Sequence, residues 1–279
     1  AEALAVRPLS VEDGAESADS AYWAQSLAEA ERAARRALEL DPRNASARVA
    51  LGSVHRDRWE WAAGEQELLR ALEMDPDSEE AHTQYAELLW GMGRMDESLR
   101  EAQRALALDR APIRLDIVGF TLYMNGRRDE AEAILEEGIA LDTEGDVFFL
   151  RLVLSNLLLI DGRYRTALER FEPFLPDPDS FRRIGEALEA GDPSLMPDRL
   201  TRGVAQAWVL LGEHDRALDV LEQSVFAMPF RVQYDLWDPV MAPIRTTPRF
   251  QEVILPRVGL EGAEARYTGS ATDPTPGGS

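Results

Sequence analysis

The feature that most constrains this chain is a recurrence. Leu-Glu-Leu-Asp-Pro at 38–42, Leu-Glu-Met-Asp-Pro at 72–76, Leu-Ala-Leu-Asp-Arg at 106–110 and Ile-Ala-Leu-Asp-Thr at 139–143 place aspartates at 41, 75, 109 and 142, at spacings of 34, 34 and 33. A period of that length fits one pair of antiparallel helices per repeat. It excludes a fold organised around a sheet.

Each period contains two stretches of helical apolar spacing. Asn44 to Arg58 carries Ala47, Ala50, Leu51 and Val54, and Trp61 to Met74 carries Gly64, Leu68, Ala71 and Leu72. Pro76 follows the second stretch, where its ring stops a helix. The next period repeats the plan with Ala81, Tyr85, Ala86 and Leu89, a Gly93-Arg94 turn, then Ser98, Ala102, Ala105 and Leu106. A third uses Leu115, Val118, Gly119 and Leu122, a Gly126-Arg127 turn, then Ala131, Leu135 and Gly138. One helix pair cannot bury its own apolar stripe, so such pairs stack into a solenoid.

These positions resemble the tetratricopeptide repeat family, through Leu51-Gly52, Gly64, Leu68, Ala71 and Pro76 in the best unit, over most of 27–228. The resemblance implies an all-α, right-handed α-solenoid of about five to six helical hairpins with a non-repeat C-terminal cap. The early aromatic of the first helix is replaced by Arg48, His82 and Leu115, so the units are degenerate. Trp59 to Ala63 and Trp237 to Leu260 are similar to the repeat regions of bacterial signalling proteins, such as adenylate cyclases and membrane-bound winged-helix regulators. That likeness runs over about 21–260 and implies a regulatory or binding role.

The expected organisation is an extended lead-in over 1–20 and a solenoid over 21–229, interrupted by a Pro- and Gly-rich insertion at 173–197. A cap over 230–260 closes the open apolar end of the stack, with a short helix at 248–257. A Gly/Pro/Ser/Thr tail fills 261–279. Asp146 to Ile160 is apolar nearly all round, which predicts a helix covered on more than one side.

All 30 basic residues are arginine, against 51 acidic ones, for a net charge of −21. Such a surface repels nucleic acid and anionic headgroups. Without cysteine or lysine there are no disulfides, thiolate metal sites, Schiff-base lysines or phosphate-loop lysines. His55, His82 and His214 stand in different repeats with no metal-ligand spacing, and the paired carboxylates fall on helix starts, where they favour the helix dipole. The residues therefore indicate no catalytic site, no metal and no cofactor. No apolar run is long enough to insert in a membrane, because Arg151, Ser155 and Asn156 interrupt the longest. The chain begins at Ala1, which suggests processing or a piece of a longer protein. With no cysteine, a periplasmic or secreted location is favoured over a cytoplasmic one.

The expected function is non-enzymatic binding of a protein or peptide partner in the groove lined by the first helix of each pair. The lining residues are Val49, Ser53 and Arg56; Thr83, Glu87 and Trp90; Asp116, Phe120 and Tyr123; Phe149, Leu152 and Asn156; then Arg202, Gln206 and Val209. Valine, threonine and aspartate, in place of the lysine and asparagine of the family's carboxylate clamps, argue against a clamp. The middle of the groove is aromatic and would mark a partner site where exposed. Two other readings stay open: a subunit that assembles with copies of itself, and the regulatory arm of a larger signalling protein.

Overall fold

The computed structural model describes residues 15–141, 148–197, 204–227 and 235–260. Residues 1–14 of the expected 1–20 lead-in, the tail over 261–279 and Arg202 lie outside the described residues.

Among the described residues twelve helices of seven residues or more follow in order: α1 Ala15–Leu40, α2 Ala45–Asp57, α3 Trp61–Met74, α4 Glu79–Gly91, α5 Met95–Leu108, α6 Pro112–Met124, α7 Arg128–Leu141, α8 Phe148–Ile160, α9 Tyr164–Phe171, α10 Pro178–Ala190, α11 Val204–Leu210 and α12 His214–Ala227. Only short helical turns follow, and no strand occurs among the described residues. The fold is an all-α solenoid of helical hairpins. α2 pairs with α3, α4 with α5, α6 with α7, α8 with α9 and α11 with α12, while α2, α4, α6 and α8 also pack side by side.

Local chemistry explains the boundaries. The Asn44 side chain accepts from Ala47 N at 2.9 Å, and Ser78 does the same for Ala81 N at 3.2 Å, satisfying amides that the helices leave open. α6 has no such cap but begins on Pro112, whose missing N–H would have been unpaired there anyway. Each first helix ends in a residue of left-handed conformation: Gly93, Gly126, Gly162 and Gly212, with φ of 72–79°. The next amide then reaches back five residues, as from Arg94 to the Leu89 carbonyl at 2.9 Å and from Arg127 to Leu122 at 2.9 Å. In the first hairpin Trp59 takes this place with φ 61°, and Glu60 N still reaches His55 O at 2.8 Å.

Packing follows the small residues. A methyl at Gly52 would lie 2.5 Å from Leu68 Cγ, and one at Gly119 would lie 2.7 Å from Leu135 Cγ. The two helices of a hairpin touch where each glycine yields to a leucine. Leu68, Leu88, Leu89, Leu135 and Leu154 are fully buried in one continuous core, each worth about 2 kcal/mol against exposure. A smaller cluster of Ala34, Ala47 and Leu51 seats α1 on α2. Arginine–carboxylate pairs lace neighbouring hairpins outside the core, among them Arg94–Glu65 at 2.5 Å and Arg163–Glu132 at 2.7 Å.

Two expected boundaries differ. α1 begins at Ala15, within the expected lead-in, and is 26 residues long where α3, α5 and α7 have 14 each. The insertion, expected to surround a short helix over 181–190, holds a 13-residue helix, α10, that starts three residues earlier at Pro178, packs against both α9 and α11 and buries Phe181, Ile184 and Ala187.

Residues 235–260 form turns at Pro239–Met241, Ala242–Arg245, Phe250–Ile254 and Leu255–Arg257. They pack on α12, where Arg249 pairs with Asp219 and Glu222 at 2.6 Å each. They also run back across the ends of the first helices. Trp61 Nε1 donates to Val258 O at 2.7 Å, joining positions 197 residues apart.

Candidate concave interaction face

The first helices of the hairpins bring most of the expected groove residues together, in two zones of different chemistry. One is aromatic and closed. Trp90, near the end of α4, lies 4.5 Å from Phe120 of α6 between ring centroids, and Phe120 lies 6.5 Å from Phe149 of α8. Trp90 and Phe120 are only 1% and 2% exposed, and Tyr123 is buried as well.

What closes this zone is the chain's own C-terminal segment. Trp237 is fully buried, its indole N–H donates to the Gly91 carbonyl at 2.9 Å, and its ring lies 2.9–3.1 Å from where a methyl on Gly93 would stand. The Tyr123 hydroxyl donates to Asp238 Oδ2 at 2.7 Å. Gln206 of α11 donates to Asp235 at 2.9 Å and to Asp238 at 3.3 Å, and Val240 N donates to Asp238 Oδ1 at 2.9 Å. Burial raises the Asp238 carboxyl above its ordinary value despite these donors. Burial first, and then the facing Asp238 carboxylate, raises the Tyr123 phenol well above its own. Trp90, Phe120 and Tyr123, expected to line an open groove, are core, because the apolar turns after α12 need the same surface.

The second zone is polar and partly open, between α2, α4 and α6. Ser53 Oγ donates to Gln84 Oε1 at 2.7 Å, Arg56 reaches the same oxygen at 2.8 Å, and Arg56 also pairs with Asp57 and Glu87. Glu87 sits deep enough that desolvation outweighs Arg56 and raises its carboxyl. Arg114, on the first turn of α6, has Glu79 at 3.9 Å, the outer limit of an ion pair.

The remaining candidates distribute as follows. Val49, Thr83, Asp116, Leu152, Gln206 and Val209 are buried, while Ser53, Arg56, Glu87, Phe149 and Asn156 are half-buried. Thr83 spends its hydroxyl on the Glu79 carbonyl at 2.7 Å. Residues 235–238 complete the site and have no repeat signature that would have marked them. Gln84 was also missed, because its step along α4 lies one residue off the expected stripe. His82 is buried between Glu101 at 2.7 Å and the Pro76 carbonyl at 3.0 Å, a structural bridge inside its own hairpin. Among the described residues, no group of three or more His, Asp or Glu side chains could hold a metal ion. No described helix is long and apolar enough to cross a membrane.

No family model matches the chain. No curated protein matches it either. Among solved structures, that of pilF from Pseudomonas aeruginosa aligns over 80% of this chain and 94% of its own, with 19% identity and a TM-score of 0.49. A likeness at that level carries no weight for function, and the solenoid stands on the hairpin geometry above.

Proposed function

We propose that this protein is a non-enzymatic interaction scaffold that holds a segment of a protein partner along the concave face, on the polar zone of α2, α4 and α6. The observation that supports this most is the half-open strip of Ser53, Arg56 and Glu87. Three consecutive hairpins present donors and acceptors there without completing a core. An extended or helical segment can add its own hydrogen bonds to such a strip, with Phe149 supplying apolar area beside it. The net charge of −21 selects against acidic partners and speeds encounter with basic ones. The carboxylates of the strip are engaged with arginines, which suits recognition better than proton transfer.

The test uses the intact protein as bait in extracts of its source cells. Ser53→Arg with Glu87→Arg is expected to lose at least tenfold of a captured partner that wild type and the control Arg36→Ala both retain, with unchanged helicity. Equal retention by all three proteins would remove the concave strip from the binding surface.

A further inference from the structure

The same turn closes every hairpin; the one at Trp59 lies against Gly259, and of the four that carry glycine only one is sat upon. A methyl added at Gly126, Gly162 or Gly212 would meet nothing within 4 Å, whereas one at Gly93 would strike the Trp237 ring. The rim of the solenoid therefore has a shaped seat at the α4–α5 turn. The contacts around it have the form of peptide recognition. An indole of residues 235–260 donates to a main-chain carbonyl of the stack, Trp237 to Gly91, and an indole of the stack donates to a main-chain carbonyl of the segment, Trp61 to Val258. The segment has turns of only three to five residues, too short to hold themselves. Trp237, Met241, Phe250, Leu255 and Val258 are buried by the stack and by one another. At its centre is the buried carboxylate of Asp238, a polar choice that costs desolvation and gains register with Tyr123 and Gln206.

We infer that the rim made by the ends of α2, α4 and α6 is a second peptide-recognition surface whose resident ligand is the chain's own residues 235–260, and that a partner competing for it presents an indole next to a carboxylate, as Trp237-Asp238 does. This deepens the scaffold reading and rests on it for its role in the cell. Tethering sets the local concentration of the resident ligand on the order of millimolar, so an outside segment competes poorly until the tether is cut or the segment is drawn away.

The experiment places a protease site between Pro229 and Asp235 of the full chain. After cleavage, a fluorescent synthetic peptide of residues 235–260 is titrated in. Saturable incorporation, at least 100-fold stronger into the nicked protein than into the uncut one, and at least tenfold weaker for the peptide with Trp237→Ala, is the expected result. Collapse of the helical signal on nicking, or no incorporation while the protein stays folded, would overturn the inference and make the segment permanent core. Hydrogen exchange on the uncut chain gives an independent reading. Amides of 236–258 should open at least tenfold more often than those of α4, and identical rates would count against a ligand. Exchange of the peptide together with full partner capture by the Ser53→Arg, Glu87→Arg variant would keep this inference and discard the polar strip. The reverse pattern would do the opposite.

Discussion

Residues 45–141 and residues 235–260 are both helical and both well buried, but they are held in opposite ways. In the first region every helix leans on neighbours within about one period of it. Gly52 meets Leu68, Gly119 meets Leu135, and the fold is a sum of similar local interfaces. In the second, no repeat exists, and the contacts reach back to Gly91, Tyr123 and Trp61, from 115 to 197 residues earlier. Local interfaces tolerate the degeneracy of individual units. A long-range seat concentrates its stability in a few side chains, and the order of mutational effects should show it.

The largest effect is expected at the seat. Trp237→Ala removes a fully buried indole and its hydrogen bond to Gly91 and should cost about 4 kcal/mol, read as a fall in the urea midpoint. If the cost were below that of an ordinary exposed substitution, the segment would be peripheral. A sharper comparison uses two turns of the same geometry. Gly126→Ala meets open space and should cost about 1 kcal/mol of left-handed strain. Gly93→Ala carries the same strain plus a collision with Trp237, and should cost about 2 kcal/mol more, in line with overpacking. Equal costs would mean the indole moves aside freely.

The smallest effect is a difference in pH dependence. Asp238 and Glu87 are both raised by burial, one in each zone. A carboxyl raised in the fold contributes stability that is complete below its unfolded value and is lost as pH rises through its folded value. Relative to Asp238→Asn or Glu87→Gln, wild type should therefore gain stability as pH falls from neutral toward the ordinary carboxylate range. Exposed carboxylates such as Glu130, lowered by Arg127, shift in the other direction and are common to all three proteins. Parallel curves in thermal melts from pH 7 to 4 would show that neither group is effectively buried.

Much of the solenoid was legible in the residues. The Asp-Pro stops, the Gly-Arg turns and the alternation of small and large apolar positions each depend on interactions within one or two helices, which a single window of sequence contains. The turn at Trp59 was harder, since a tryptophan in the left-handed conformation breaks the rule that the other four turns keep. The candidate face was half legible. Trp90, Phe120 and Tyr123 do stand on the inward side of their helices, as their spacing requires. Whether that side faces water was beyond the spacing, because it depends on a segment more than a hundred residues away.

By itself, the sequence determined a stack of helical hairpins, where each turns, and which helices face inward, for these follow from periodicity and backbone conformation near in the chain. Only the tertiary structure decided which part of the inward face is open. Burying the indole of Trp237 against Gly93 and the carboxylate of Asp238 against Tyr123 requires distant surfaces to match in shape and hydrogen bonding at once. No local pattern encodes such a match.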